Sequence, residues 1–325
     1  MAVPYSRYFL YPVPWYSVLI VTGATLAIWL ASREARRLTL PKDTILDLAL
    51  WVLPFGILGA RIYYVIFSWD QFRQNLLSTL YIWQGGLAIY GGLLAGILVI
   101  VIFCTKRKIP AWLLCDLLAP GVALAQSIGR WGNYFNQEAY GIPISNPAFQ
   151  FFPIAVLISE QHGNVWHLAT FFMESVWNIL IFLFLMISRR SWFRKQGDVF
   201  LFYAFLYAAG RLIVEDFRMD SLYSSSMRIS QVLSFAVILI IGGQIFFRDR
   251  SRKSNPCYIP GCFIALIALG WAVPVLFDLI QRPILPATSV GSRFLLLGGF
   301  SLLAIVSLFF IYGPSESEEV IYANH

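Results

Sequence analysis

Nine apolar runs, each about as long as a lipid bilayer is thick, dominate this 325-residue chain. A helix needs roughly 20 apolar residues to cross the hydrocarbon core of a membrane. Hydrophobic residues make up 58% of the chain and charged residues only 13%, which is far from the composition of a soluble domain. We therefore predict an all-α polytopic membrane protein, with spans at residues 15–32, 46–68, 86–104, 111–129, 168–188, 197–214, 229–247, 259–280 and 292–312.

The fourth run differs from the others because polar and helix-breaking residues interrupt it. Asp116, Pro120 and Gln126 lie inside it. Irregular backbone at membrane depth is tolerated only where protein or a water-filled cavity surrounds it. The sequence therefore leaves two interpretations open, a continuous span and a broken or re-entrant helix.

Loop charge predicts the orientation of the spans, because short cytoplasmic loops are enriched in Lys and Arg. The loops after spans one, three, five and seven each carry three or four such residues, whereas the other loops carry fewer. We expect the N-terminus outside the cytoplasm and the C-terminus inside it. Residues 1–14 lack a basic region followed by an apolar core, so the first span should remain as an anchor. This topology and anionic lipid headgroups account for much of the net charge of +7, and we expect no nucleic-acid partner.

Three arginines, Arg130, Arg211 and Arg218, lie on the predicted outer side, where the loop charge rule does not explain them. Glu215 follows Arg211 by four residues and precedes Arg218 by three, so in a helix the three side chains share one face. One interpretation is a salt bridge at a helix end. The other is a clamp for a phospholipid phosphate, because guanidinium groups bind phosphate oxygens bidentately, and Arg130 would complete it from another helix.

Polar residues also cluster directly after the fourth run, in residues 129–141. Asn133, Asn136 and Glu138 follow Arg130 there, and Gly141 ends the segment. Loop capping or internal hydrogen bonding would explain either asparagine alone. Taken together with Arg130, these residues predict a site, since polar groups at membrane depth usually serve a function.

Two glycine pairs, Gly85-Gly86 and Gly91-Gly92, bracket Tyr90 near the start of the third run. Small residues let helices or a lipid chain approach closely. Simple helix packing, with Tyr90 in the aromatic belt at the membrane interface, is the preferred interpretation from spacing alone. Tyr16, at the mouth of the first span, leaves the same alternatives open.

Arg61 lies inside the second apolar run. A lone arginine there is costly unless it is paired or lies close to an interface. Asp116 is a candidate partner.

These motifs together resemble those of the bacterial prolipoprotein diacylglyceryl transferase family. Residues 129–141 match its pattern Gly-Arg-x-Gly-Asn-aromatic-x-Asn-x-Glu-x-x-Gly at every fixed position. The resemblance runs from Pro14 to about Arg248. Its further motifs are Gly59-Ala60-Arg61, the two glycine pairs, Asp116 with Ala119-Pro120, and Arg211 with Glu215 and Arg218.

The resemblance implies transfer of the diacylglyceryl group of phosphatidylglycerol to the lipobox cysteine thiol of a prolipoprotein, with release of glycerol 1-phosphate. The implied partners are phosphatidylglycerol, lipobox peptides and the bilayer of the bacterial inner membrane. No metal or cofactor is implied, because guanidinium groups in a water-poor site can stabilise the leaving phosphate. The implied catalytic residues are Arg130, Arg211, Glu138 and Tyr90, and the implied substrate-binding residues are Tyr16, Arg61, Asn133, Asn136, Gly141, Glu215 and Arg218.

The identity of the base stays open. A cysteine thiol has an ordinary pKa of about 8.5, so a group must take its proton or stabilise the thiolate. Many family members carry a histidine where this chain has Tyr90, and tyrosine is a poor base. We expect Tyr90 to orient the headgroup or the thiol by hydrogen bonding. Glu138 and Glu215 are the candidate bases, with the alternative that either one only holds an arginine.

Two further departures from the family pattern affect the predicted organisation. The segment from His167 to Glu174 lacks the usual proline and is one residue longer, which favours a structural role for His167. The family core usually ends near span seven, so we predict a transferase-like core of about seven spans in residues 1–254 and an extension with two further spans in residues 255–325. The core includes a small extracytoplasmic head formed by residues 130–167.

Two other functions fit the residues less well. In a lipid transporter, Asp116 and the arginines would guide a headgroup, but we find no convincing inverted repeat. A noncatalytic relative that only binds lipid or lipoprotein would explain Tyr90 and the altered segment around His167.

Overall fold

The computed structural model describes residues 7–160, 163–190 and 195–219, together with scattered residues between 223 and 244. The chain is mostly helical in these ranges. The predicted eighth and ninth spans, and with them the C-terminal extension, lie outside the described residues. The helices are α1 (Trp15–Arg37), α2 (Thr44–Phe67), α3 (Trp69–Phe72), α4 (Ile89–Arg107), α5 (Ala111–Asn136), α6 (Thr170–Ser188) and α7 (Asp198–Val214).

Short antiparallel hairpins accompany the helices. The pairs are β1 (Tyr8–Leu10) with β2 (Val13–Pro14), β3 (Ala155–Glu160) with β4 (Gly163–Leu168), and β5 (Tyr223–Ser224) with β6 (Met227–Arg228). The β3–β4 hairpin pairs Ala155 with Leu168 at one end and Glu160 with Gly163 at the other. Single 3₁₀ turns span Leu76–Leu80, Ile82–Gln84, Pro147–Phe149 and Glu215–Phe217.

Five of the helices, α1, α2, α4, α5 and α6, are long and apolar enough to cross a membrane. They coincide with the first five predicted spans, and α7, with 17 residues, covers the predicted sixth. The α5 helix runs without a break through Pro120, so a broken fourth span is the wrong interpretation. It also continues past the predicted end at residue 129, which places Arg130, Asn133 and Asn136 on the helix rather than in a loop.

The chain divides into two compact units. Of the described residues, the first unit contains those up to Leu26 and those from Ala119 onward, and the second contains Ala27–Leu118. In the first unit, α5, α6 and α7 share one apolar cluster. Its buried members are Ala119, Ala123, Ile181, Leu185, Val199 and Phe202.

The segment between α5 and α6 folds onto the first unit through backbone pairing. The Gly141 amide donates to the carbonyl of Leu168 at 2.8 Å, and the Ile142 amide donates to the carbonyl of Phe217 at 2.9 Å. These bonds join the end of the 129–141 motif to the start of α6 and to the turn that follows α7. They bring motifs distant in sequence to one place.

In the second unit, α2 packs on α4 at two glycines. A Cβ atom built on Gly59 would lie 2.7 Å from the carbonyl oxygen of Gly91, and one built on Gly91 would lie 2.3 Å from the carbonyl oxygen of Gly59. The two backbones are therefore in direct contact, as small residues allow. For Gly91 this confirms the packing interpretation of the glycine pairs.

Candidate active site

In the first unit, the buried carboxylate of Glu174 on α6 contacts three arginines. Its Oε2 lies against Nε of Arg130 on α5. Its Oε1 accepts a hydrogen bond from Nη1 of Arg211 on α7 at 2.7 Å and lies 3.4 Å from Nη1 of Arg218. The three arginines that the loop charge rule leaves unexplained therefore do meet, and the Glu174 carboxylate is the group that joins them.

Glu215 adds a second carboxylate to this cluster. Its Oε2 lies 2.6 Å from Nη2 of Arg211, one helical turn earlier in the chain. Its other oxygen, Oε1, has no hydrogen-bond partner among the described residues. Three guanidinium groups thus face two carboxylates, and the five side chains carry one excess positive charge. We call these five residues the arginine–glutamate cluster.

Within the cluster, the arginine side chains are more exposed than the glutamate side chains. The Glu174 and Glu215 side chains are 6% and 1% exposed, whereas those of Arg130, Arg211 and Arg218 are 23%, 18% and 11% exposed. The two carboxylates are thus the buried part of the cluster, and the guanidinium groups are its more accessible part. Its accessible side is therefore positive and suits an anion.

Serine side chains fix the spacing of α5 and α6 close to the cluster. Ser127 donates to the carbonyl of Ser175 at 2.9 Å, and Ser175 donates to the carbonyl of Ser127 at the same distance. Trp131 donates from Nε1 to the Ser175 hydroxyl at 3.0 Å. Ser127 precedes Arg130 by three residues, and Ser175 directly follows Glu174. These bonds therefore hold α5 and α6 together close to both charged residues.

Gly210 sets the approach of α7 to α6 in a similar way. A Cβ atom at Gly210 would lie 2.1 Å from Nε1 of Trp177, which donates to the carbonyl of Leu206 at 2.9 Å. The tryptophan therefore packs directly on the backbone of α7. This contact positions Arg211, the next residue.

The polar residues of the motif form a second group at the end of α5. Asn133 and Asn136 both donate from Nδ2 to Oε1 of Glu138, at 3.0 and 3.1 Å, and Arg7 donates to Oδ1 of Asn136 at 3.2 Å. Glu138 is exposed. The two amides orient its carboxylate through one oxygen, and neither of them takes the other oxygen.

Tyr16 connects this group to Arg130. Its ring packs on the backbone of α5, since a Cβ atom at Gly132 would lie 2.3 Å from Cδ2 of the ring. The Tyr16 side chain also lies near both Glu138 and Arg130. The structure thus brings Tyr16, Asn133, Asn136 and Glu138 into one neighbourhood beside Arg130.

Gly141 is buried, and the structure gives a packing reason for glycine at this position. A Cβ atom there would lie 2.6 Å from the carbonyl oxygen of Phe217 and 2.8 Å from Cγ2 of Thr170. The Thr170 hydroxyl in turn donates to the carbonyl of Ala139 at 2.6 Å. Gly141 therefore anchors the motif to the turn that leads to Arg218.

His167 is fully buried, with Nδ1 2.8 Å from the carbonyl oxygen of Gly141 and its ring against Tyr140. This environment supports the structural role expected for it.

Arg61 and Tyr90, the two remaining predicted site residues, belong to the second unit. Arg61 is 6% exposed, and backbone carbonyls of residues 78–86, rather than the carboxylate of Asp116, accept its hydrogen bonds. Tyr90 is the second residue of α4, is half-buried, and has its ring 6.5 Å from that of Tyr63.

Glu174 is the residue that sequence reasoning missed. Its signal was present, since it is a carboxylate four residues into an apolar helix, where an ionisable group usually has a partner or a function. From the sequence, Glu215 is the evident partner of Arg211 because only four residues separate the two, whereas Glu174 lies on another helix. In the ranges that the structure describes, no three His, Cys, Asp or Glu side chains lie close enough to hold a metal ion.

Most of this chain is similar in sequence to known proteins. A family model described as prolipoprotein diacylglyceryl transferase matches residues 7–247. A phosphatidylglycerol–prolipoprotein diacylglyceryl transferase of Enterococcus faecalis is 43% identical over 253 residues, which cover 77% of this chain and 90% of that protein. Enzymes of the same name from Streptococcus pneumoniae and Listeria welshimeri are 44% and 41% identical over 248 residues, 76% of this chain and 93% and 88% of theirs.

The region that the family model matches contains all residues of the arginine–glutamate cluster and of the 129–141 motif. The chain belongs to the prolipoprotein diacylglyceryl transferase family.

Proposed function

We propose that the arginine–glutamate cluster binds the phosphate of phosphatidylglycerol while this transferase moves the diacylglyceryl group to the lipobox cysteine of a prolipoprotein. The observation that carries the proposal is the convergence of Arg130, Arg211 and Arg218 on Glu174, with the positive side exposed. Family membership supplies the reaction and the two substrates. The geometry of the cluster supports this position for the phosphate.

The charge change of the reaction suits this cluster. The cysteine thiolate forms a C–S bond with the glycerol carbon of the diacylglyceryl group, and the C–O bond from that carbon to the phosphate breaks. The phosphodiester, with one negative charge, leaves as a phosphomonoester that gains a second one. Guanidinium groups held in place before the reaction stabilise this added charge more in the transition state than in the substrate. Arg130 and Arg211 are the groups we assign to this role.

The carboxylates of the cluster hold the arginines in position. Glu174 contacts all three, and Glu215 fixes the second terminal nitrogen of Arg211. A guanidinium group oriented in advance loses less freedom when it binds an anion. Arg218 adds a substrate-binding contact from the turn that follows α7.

Glu138 is our candidate for the base that takes the thiol proton. It is exposed, and Asn133 and Asn136 orient it through one oxygen. Glu215, the alternative from the sequence, is fully buried and paired with Arg211, so an incoming thiol cannot reach it as readily. We assign Tyr16, Asn133, Asn136 and Gly141 to the binding and shaping of this end of the site, and Tyr90 to hydrogen bonding with a substrate.

We further propose that the protein spans the bacterial inner membrane nine times, with the N-terminus outside and the C-terminus in the cytoplasm. The alternation of basic loops supports this orientation. Residues 1–254 would form a seven-span core whose external head contains residues 130–167, and residues 255–325 would add two spans. The outer location of the head agrees with an acceptor peptide that arrives from the secreted side.

A mass-shift assay tests the proposed function. Purified protein is incubated with phosphatidylglycerol vesicles and a synthetic lipobox peptide, with a Cys→Ser peptide as the control. We expect a diacylglyceryl addition that depends on the cysteine. The Arg130→Ala and Arg211→Ala variants should lose most of the transfer while the protein still inserts in the membrane. Full activity in both variants would refute the phosphate site. A wild-type protein that binds the lipid without modifying the peptide would point to a noncatalytic role or to lipid transport.

A further inference from the structure

Arg61 uses every donor of its side chain on the backbone of one segment. A guanidinium group carries five N–H donors. Nε donates to the carbonyl of Thr79 at 2.8 Å, and Nη1 donates to the carbonyls of Gly85 and Gly86 at 2.7 and 3.0 Å. Nη2 donates to the carbonyls of Ser78 and Tyr81 at 2.8 and 3.4 Å. No donor remains for a lipid phosphate unless one of these bonds breaks.

In the part of the chain that the structure describes, the segment that accepts these bonds, residues 69–88, makes few other polar contacts with α2. We call it the arm. It consists of α3 and two 3₁₀ turns, whose terminal carbonyls need donors from outside the turns. Most of its large apolar side chains are exposed, including Leu80 at 69% and Trp83 at 74%. Phe72 is the buried exception, and the Arg61 guanidinium lies over its ring at 5.1 Å. Arg61 is therefore the main anchor of the arm on α2.

The arm leads directly into the start of α4. The amide of Ala88 donates to the carbonyl of Ala60 at 3.0 Å, next to Arg61 in sequence. Two residues later comes Tyr90, and then Gly91, whose backbone touches that of Gly59. Residues 59–61 thus hold the arm and the first turn of α4 at consecutive points.

Gly86 shows how closely the arm fits this anchor. Its φ is +74°, a conformation that favours glycine, and a Cβ atom there would lie 2.7 Å from Nη1 of Arg61 and 2.6 Å from Cε1 of Tyr64. A side chain at this position would push the arm away from the guanidinium group. Gly86 and Arg61 therefore depend on each other.

We propose that Arg61 is a positioning residue. It holds the arm against α2, thereby sets the position of Tyr90, and does not bind the lipid phosphate. This inference rests on the proposed function, because it assumes that Tyr90 acts on a substrate. It replaces the substrate-binding role that the sequence implied for Arg61.

Arg61→Lys and Gly86→Ala test the inference from both sides of the contact. Lysine offers three donors from one nitrogen and cannot satisfy five carbonyls spread over residues 78–86. Hydrogen–deuterium exchange of the purified full-length protein in lipid nanodiscs reports on the arm. We expect exchange of amides in residues 76–88 to rise by about tenfold or more in both variants, since hydrogen bonds to a charged group are lost. Arg73→Lys, an exposed arginine of the same arm, and Arg211→Lys should leave this exchange unchanged.

Steady-state kinetics separate a positioning role from phosphate binding. In Arg61→Lys and Gly86→Ala we expect a fall in kcat of about tenfold with the KM for phosphatidylglycerol within about twofold of wild type. Arg211→Lys should instead raise that KM. Unchanged exchange in the arm, or a rise in KM like that of Arg211→Lys, would overturn the inference. A loosened arm with normal kcat would overturn it while leaving the proposed function intact. The exchange measurement remains decisive for the anchor even if wild-type protein shows no transfer.

Discussion

Arg211 donates from Nη1 to Oε1 of Glu174 at 2.7 Å and so joins α7 to α6. Its other terminal nitrogen is held by Glu215, the residue that directly follows α7. One arginine therefore binds both a neighbouring helix and the turn that follows its own helix. Because Glu174 also contacts Arg130 on α5, the helices α5, α6 and α7 meet at one buried carboxylate.

Glu174→Gln should damage both stability and transfer. The change keeps the shape of the side chain but leaves three arginines close together with only the charge of Glu215 to balance them. Removing one partner of a buried ion pair typically costs about 3–5 kcal/mol. We expect a lower thermal midpoint in lipid nanodiscs and a fall in transfer of at least about tenfold.

Asp70→Asn is the control for this prediction. Asp70 pairs with Arg73 on the surface, and its side chain is 86% exposed. Such pairs contribute roughly 0–1 kcal/mol, so stability and transfer should stay close to wild type. Equal behaviour of Glu174→Gln and Asp70→Asn would mean that the arginines do not depend on Glu174.

The long helices were predictable from the sequence because a membrane demands long apolar runs, and α1, α2, α4, α5 and α6 carry that signal clearly. The cluster was predictable only in part. Arg130, Arg211 and Arg218 conflict with the loop charge rule and can be found one by one. Their common partner could not, because a contact between α5, α6 and α7 depends on helix rotation and spacing, which no local pattern specifies.

The role of Arg61 shows a second limit. The sequence indicates that an arginine in an apolar run needs compensation, and it offers a carboxylate inside another apolar run, that of Asp116, as a candidate partner. Backbone carbonyls carry no sequence signature, so a loop that folds back to satisfy a guanidinium group is invisible until the fold is known. For the same reason, Gly86 could be noticed as a small residue but not as a partner of Arg61.

Gly132→Ala should disturb the site, whereas Gly129→Ala should not. A Cβ atom at Gly132 would lie 2.3 Å from the Tyr16 ring, but nothing lies within 4 Å of one at Gly129. Both glycines lie on α5, where alanine favours the helix by about 1 kcal/mol. We expect Gly129→Ala to be neutral or slightly stabilising and Gly132→Ala to displace Tyr16, with lower transfer. Fluorescence-detected thermal unfolding and the peptide assay measure the two effects, and similar losses in both variants would contradict the assignment.

Ser175→Ala should destabilise the protein more than Ser127→Ala. The first change removes a donor to the carbonyl of Ser127 and also the acceptor of the Trp131 indole N–H. The second removes the bond from Ser127 to the carbonyl of Ser175 and the contact between the two hydroxyls, but it leaves the indole satisfied. An unsatisfied buried donor costs roughly 1–3 kcal/mol, whereas a neutral hydrogen bond contributes about 1 kcal/mol. The two thermal midpoints decide the order, and the reverse order would show that the Trp131 bond has no weight.

Tyr90→Phe should lower transfer without loosening α4. The substitution keeps the ring that lies 6.5 Å from Tyr63 and removes only the hydroxyl. If that hydroxyl orients the headgroup or the thiol, its loss should lower kcat/KM by roughly three- to tenfold, as expected for one neutral hydrogen bond. The peptide assay and the thermal midpoint are measured together, because an equal loss of both would indicate a packing role for the ring instead.

Tyr90→His completes this test by restoring the residue that many family members carry. Imidazole titrates near pH 6.5 and can take a proton, which the phenol does poorly. If position 90 faces the reacting thiol, this variant should retain transfer and acquire a new dependence on pH, with activity falling as the pH drops through the range in which the imidazole protonates. A pH profile that coincides with that of wild type would place Tyr90 away from proton transfer and leave Glu138 as the base to examine, through Glu138→Gln, which should then abolish transfer while lipid binding persists.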